Sequence, residues 1–264
     1  MSNTWVDIGI NLTDHAFAND LDNVVADARS AGVESLIITG TDLTQSCRAL
    51  DLCQQLGEGT YCTAGVHPHY AKEWTDEHES RIRDLIRNPA VVAVGETGLD
   101  FNRNLSPPDV QKAVFEHQLR IAADSERPLF LHERDALDDQ IALLRRYRDR
   151  IRGGVAHCFT GERHALQAYL ALDLYIGITG WICDERRGLH LRELVQEIPL
   201  DRLLLETDGP YLLPRDLQPK PKSRRNEPRY LPHIAQTVAQ CLQLPVDELA
   251  TITTDNARRL FGIS

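Results

Sequence analysis

Apolar, β-branched runs of four to six residues recur along the chain, separated by stretches whose apolar positions repeat every three or four residues. The runs are Val6–Ile10, Ser35–Thr39, Tyr61–Val66, Val91–Gly95, Leu129–His132, Gly154–His157, Tyr175–Ile178 and Leu203–Glu206. Helices are expected over Asp20–Ala31, Leu43–Leu56, Glu77–Arg87, Pro108–Ser125, Leu137–Arg146, Arg163–Leu170 and Gly188–Ile198. Two more, Leu231–Leu242 and Val246–Phe261, follow the last run and should pack outside the sheet. Strand and helix in strict alternation read as a parallel α/β fold, and eight repeats suit a (β/α)8 TIM barrel. An open doubly wound sheet gives a similar string, so periodicity alone leaves closure open. No linker, internal repeat or low-complexity tract interrupts the pattern, and residues 1–264 are read as one domain.

Composition narrows the class. Hydrophobic residues make up 42% and charged residues 26%, ordinary for a globular enzyme. Asp7, Asp14 and Asp20 break up the opening twenty positions, so no signal peptide is expected, and no apolar stretch is long enough to span a membrane. The six cysteines form neither a C-x-x-C pair nor a dense framework, which suits reduced thiols in a cytoplasmic protein. A net charge of −10 argues against a general nucleic-acid coat. One segment runs the other way. Residues 214–229 carry Arg215, Lys220, Lys222, Arg224, Arg225 and Arg229 against Asp216 and Glu227 alone.

The chemistry sits where the apolar runs end. Glu96, His132 and His157 close three of them, and Glu206-Thr207-Asp208 closes the last. His67-Pro68-His69 follows the third run, and Asp7 lies in the first. In a parallel barrel these positions face the C-terminal rim, where active sites are built. Each residue alone has an ordinary structural reading; four ionisable groups converging on one rim call for a cation. Glu96, His132, His157 and Asp208 form a mixed N/O set without thiolate, suited to Mg²⁺, Mn²⁺ or Zn²⁺. No G-x-S-x-G elbow, Walker loop or G-x-G-x-x-G is present, and none of the four lysines ends a strand. Hydrolysis by metal-activated water remains, with Asp208 and Glu96 as catalytic candidates and Asp208 placed to take the proton. Substrate-binding candidates are Arg134, on the face of His132, and His67, the one of its pair expected to point inward while His69 points away. Arg224, Arg225 and Asn226, beyond the last strand, are the candidates for gripping a nucleic-acid backbone. Trp74, Trp181 and Tyr211 could stack on bases or simply pack.

The strings DIGINLT (7–13), GVHPH (65–69), GETGLDF (95–101), LHERDA (131–136), HCFTG (157–161), YIGITGWICDERRG (175–188), ETDGPYLLPRDL (206–217) and SRRNEP (223–228) resemble the TatD family of metal-dependent DNases. The likeness spans almost the whole chain. It is closest to the branch after which the family is named, on DIGINLT and GWICDERRG. It implies a TIM barrel, Mg²⁺ as the usual metal, and 3′-to-5′ exonuclease action on single-stranded DNA, with RNA a further substrate. DNA repair or degradation is the implied setting, and a monomer with no obligate protein partner the expected form. The family's metal positions fall on Glu96, His132, His157 and Asp208. Most relatives open on D-x-H-x-H; here Gly9 and Asn11 replace both histidines, so one tightly held metal is expected and a second only weakly.

Two other readings stay open. An ester hydrolase, such as an aminoacyl-tRNA deacylase, would use the same metal and water. A metal-free binding protein on the same barrel draws only on the missing first-strand histidines.

Overall fold

The computed structural model describes residues 3–264. Eight parallel strands form one sheet in sequential order: β1 (Trp5–Ile10), β2 (Val33–Ile38), β3 (Thr60–Ala64), β4 (Val91–Asp100), β5 (Leu129–Arg134), β6 (Gly154–Ala156), β7 (Tyr175–Ile178) and β8 (Leu203–Leu205). Sequential order excludes the doubly wound alternative, whose strand order reverses at a switch point. Across the last gap, the Asp208 amide donates to the Gly9 carbonyl and the Asn11 amide to the Gly209 carbonyl, each at 2.9 Å. These bonds bring the two edges together in a nearly closed barrel.

The helices alternate as expected: α1 (Leu21–Ser30), α2 (Leu43–Leu56), α3 (Asp76–Ile86), α4 (Pro108–Ser125), α5 (Leu137–Tyr147), α6 (Arg163–Leu170), α7 (Leu189–Leu194), α8 (Leu231–Leu242) and α9 (Val246–Phe261). Local signals set their ends. The Asp42 carboxylate caps α2 through the Gln45 amide, 2.8 Å away. Gly262, in the left-handed region, stops α9. One expected element is shorter than its pattern: the helix over Gly188–Ile198 becomes α7 followed by a 3-10 turn at Val195–Glu197. The residue before Pro199 avoids helical dihedrals, so the last turn tightens and stops.

Two apolar layers hold the barrel. One, between strands and helices, includes Leu36, Ile38, Val94, Leu131, Ile176 and Leu205. The other gathers Val6, Ile8, Ile37, Val92, Phe130, Val155 and Leu204 with Ala257, Leu260 and Phe261 of α9. Both are closely filled, leaving the polar residues to collect at the C-terminal ends of the strands.

Candidate metal centre

Three buried glutamines brace the strand ends that carry the site. Gln118 of α4 accepts from the Val66 amide at 2.8 Å and donates to its carbonyl at 2.9 Å. Gln111 does the same for Asp100, at 2.8 and 2.9 Å, and Gln140 of α5 accepts from the Leu99 amide at 2.9 Å. Backbone groups beyond the regular ladder are thus satisfied by side chains, which holds the ends without burying orphan polar atoms. β4 consequently runs on past the expected end at Gly95 to Asp100, pairing Gly98 with His132 and Asp100 with Arg134.

Around the Glu96 carboxylate, three histidines converge. From Glu96 Oε1, His132 Nδ1 is 3.0 Å away, His157 Nε2 3.0 Å and His67 Nε2 3.4 Å. The ligand atoms of His67, Glu96 and His132 all lie within 4.8 Å of one another, close enough to share one ion. Two of the rings are backed by a second carboxylate. His157 Nδ1 faces Glu206 Oε2 at 3.2 Å, and His132 Nε2 faces Asp100 Oδ2 at 3.3 Å. This is the carboxylate–imidazole arrangement that fixes a metal-ligating ring and its tautomer. Asp208, on the β8 side, is oriented separately: its Oδ1 accepts from the Asn11 amide nitrogen at 3.1 Å.

The electrostatics follow from burial and sign. Glu96, Asp100, Glu206, Asp208 and Asp7 crowd one rim, and no lysine or arginine side chain bonds to any of them among the described residues. Burial favours a neutral Glu96, but the histidines outweigh it and hold the carboxyl well below its usual range. Burial likewise opposes charge on His157, yet Glu206 and Glu96 hold its imidazolium well above the usual value. Burial wins at His67, whose pKa falls well below normal; the neutral ring accepts from the His69 amide at Nδ1, 3.1 Å away, and turns its Nε2 toward Glu96. At Asp208, burial, reinforced by Glu206 and Glu96 and opposed by His157, pushes the carboxyl up to about 7. Excess carboxylate with imidazole is a donor set that a divalent cation fits.

The first strand departs from the family pattern in an intelligible way. A Cβ on Gly9 would collide with the Glu206 carboxylate, and one on Gly177 would meet the same group from the other side. Glu206 is fully buried and also takes the Cys158 amide proton. It therefore fills the space where a first-strand histidine would stand. Nothing in its sequence position separated Glu206 from neighbouring Asp208; the glycines opposite it were the available signal.

Several expectations need correcting. His69 does not turn away: its Nε2 lies 2.8 Å from Asp100 Oδ2, and its ring is 4.2 Å from that of His67. His67 does point inward as expected, its Nε2 3.4 Å from Glu96 Oε1. Arg225 does not present its guanidinium to solvent. It forks onto Asp20 at 2.7 and 2.8 Å, reaches Glu227 at 2.8 Å and the Ala16 carbonyl at 2.6 Å, and lies over the Phe17 ring. Asn226 is fully buried, its amide nitrogen donating to the carbonyls of Thr207 at 2.8 Å and Leu212 at 3.3 Å. Both spend their polar atoms on bonds within the protein. Arg224 is exposed and enters no ion pair among the described residues, like Lys220 and Lys222. Trp74 packs against His78 and His117, and Arg187 covers Trp181, so of these three rings Tyr211 is the exposed one.

A cleft of about 370 Å³ opens beside His157. Arg134, Glu133, Cys158, Thr160, His164 and Tyr169 contribute to its walls. Arg134 is exposed there and pairs with neither acidic neighbour: Asp135 accepts from Asn102 at 2.7 Å and Glu133 from the Ala136 amide at 2.8 Å. The rim thus offers an unpaired guanidinium next to the metal-type cluster.

Residues 6–262 match the family described as TatD related DNase. A protein of Edwardsiella piscicida named 3'-5' ssDNA/RNA exonuclease TatD is 56% identical over 98% of this chain and 100% of its own. Its namesake in Escherichia coli (strain K12) is 54% identical over 98% of this chain and 99% of its own. Among solved structures, a TatD homologue of Escherichia coli K12 superposes with a TM-score of 0.89 at 27% identity, covering 100% of both chains. Matched in sequence and in fold from end to end, the chain belongs to the TatD-related DNase family.

Proposed function

We propose that the protein is a metal-dependent 3′–5′ exonuclease that hydrolyses phosphodiester bonds of single-stranded DNA, with RNA also accepted. The observation that carries this reading is the cluster of His67, Glu96, His132 and His157, buried beside a cleft with an unpaired arginine. Close relatives that bear the exonuclease name support the substrate. A divalent cation bound there would polarise the scissile phosphate and make a bound water acidic enough to attack near neutral pH. Glu96, His132 and His157 would hold it, with His67 against the same carboxylate. Asp208 would complete the family's ligand set from the β8 side and, held near neutrality, would accept the attacking water's proton. Arg134 would take a phosphate oxygen. Glu206 and Asp100 keep the rings of His157 and His132 aimed at Glu96.

Imidazole-rich donors suit Mn²⁺ or Zn²⁺ more closely than Mg²⁺, which prefers oxygen. The Mg²⁺ usual in the family would draw chiefly on Glu96, Asp208 and substrate phosphate. Unpaired cysteines fit a cytoplasmic enzyme, and trimming of damaged or fragmented DNA is the setting we infer.

The test uses chelator-stripped protein and a single-stranded oligonucleotide, with Mg²⁺, Mn²⁺ and Zn²⁺ added back separately. Cleavage should return with at least one metal and fall at least about 100-fold in Glu96→Ala and His157→Ala. Metal-independent cleavage, or full activity in both variants, would refute the assignment. A metal-bound protein inactive on nucleic acid yet active on esters would favour the deacylase-type alternative.

A further inference from the structure

Outside the cluster around Glu96, on the connections that follow β7 and β8, three chemically different donors meet. Cys183 ends a 3-10 turn after β7, Asp216 lies in the loop beyond β8, and His233 sits in the first turn of α8. A thiol sulfur, a carboxylate oxygen and an imidazole nitrogen from these residues all lie within 4.8 Å of one another. His233 Nε2 is 2.7 Å from Asp216 Oδ1. Cys183 is fully buried and its Sγ donates to Thr237 Oγ1, one turn along α8, at 3.3 Å. Asp216 is exposed and His233 half-buried, so the open side of the group faces solvent.

We propose that Cys183, Asp216 and His233 form a second metal site, selective for a borderline cation such as Zn²⁺ and separate from the catalytic cluster. One thiolate, one imidazole and one carboxylate supply three corners of a tetrahedron, with the solvent side left for water. Binding requires the thiol proton to leave for solvent, giving the thiolate that coordinates zinc. The catalytic cluster holds no thiolate among the residues around Glu96, and Mg²⁺ has little affinity for sulfur, so the two sites take different ions. The structural consequence is specific. Asp216 belongs to the loop that carries Lys220, Lys222 and Arg224, the unpaired cations of the 214–229 segment. An ion at this site ties that loop to the turn after β7 and to α8, and so holds the basic face steady beside the rim.

The test is cobalt titration of the chelator-stripped, full-length protein. A near-ultraviolet thiolate-to-cobalt absorption should appear, saturate at one equivalent and vanish when Zn²⁺ is added. His233→Ala and Cys183→Ser should abolish it, whereas Cys158→Ser, which alters the thiol nearest the catalytic carboxylates, should keep it. His233→Ala changes a half-buried surface side chain and decides the matter even if Cys183→Ser fails to fold. Activity loss in Glu96→Ala with the cobalt band intact would show that the two sites stand independently. No charge-transfer band, or a band that persists in His233→Ala and disappears in Cys158→Ser, would overturn the proposal.

Discussion

Asp7 shows how far single residues at this rim depart from solution behaviour. It is fully buried and accepts from the Thr207 amide and hydroxyl and from the Gly9 amide. Burial nevertheless dominates those bonds, Glu206 adds to it, and the carboxyl rises from 3.8 to about 7. Between those values the folded chain holds a proton that the unfolded chain has released, so folding stability falls as pH rises through the window. Asp7→Asn should flatten that slope. Urea midpoints in chelator at pH 5 and pH 7.5 should lie closer together in the variant; an unchanged difference would contradict the burial argument. Arg224 and Arg225 make the complementary contrast. Losing Arg225 removes its bonds to Asp20, Glu227 and the Ala16 carbonyl, so Arg225→Ala should cost about 1–2 kcal/mol and a few degrees of melting temperature. Arg224→Ala should stay within about 0.5 kcal/mol in stability yet weaken single-stranded DNA binding and flatten its salt dependence. Equal melting shifts in both would show that the loop is not organised as described. The neighbouring identities were plain in the sequence, but a run of basic residues does not reveal partners about 200 positions away in the segment that leads into α1.

Among the elements, β4 matters most for the site and was the least legible. Its apolar run stops at Gly95, and Gly95 and Gly98 read as a strand end because glycine weakens a strand interior. The strand continues because β5 pairs with it residue by residue and the glutamines of α4 and α5 satisfy its final amides. Glu96, His132 and His157 could be picked out because each follows an uninterrupted apolar run, and Asp208 because it stands two residues past one. Asp100 and His69 could not, since one lies past a glycine break and the other inside a 3-10 turn at Pro68–Glu73. Gly98 adopts φ 140°, and a Cβ there would collide with the His132 carbonyl. Gly98→Ala should therefore push β4 from β5, cost more than about 2 kcal/mol and lower metal affinity by displacing His132. Calorimetry and metal titration read the two effects together; a variant with unchanged melting temperature would mean that the strand pairing tolerates the shift.

At the scale of the whole molecule, the alternation of strand and helix made the (β/α)8 barrel readable, while closure needed the backbone bonds from Asp208 and Asn11 back to the first strand and its partner edge. That closure sets Glu206 against Gly9 and gathers the acidic rim. A chain of net charge −10 repels a polyanion over most of its surface, and on the proposed function Arg134, Arg224, Lys220 and Lys222 would be the places where a strand lands. The most direct measurement follows a single-stranded oligonucleotide labelled at either end, with metal, using wild type and His157→Ala. Trimming from the 3′ end removes a 3′ label at once, leaves a shrinking ladder from a 5′ label, and stops in the variant. Internal fragments from both labels, or prior loss of the 5′ label, would contradict it.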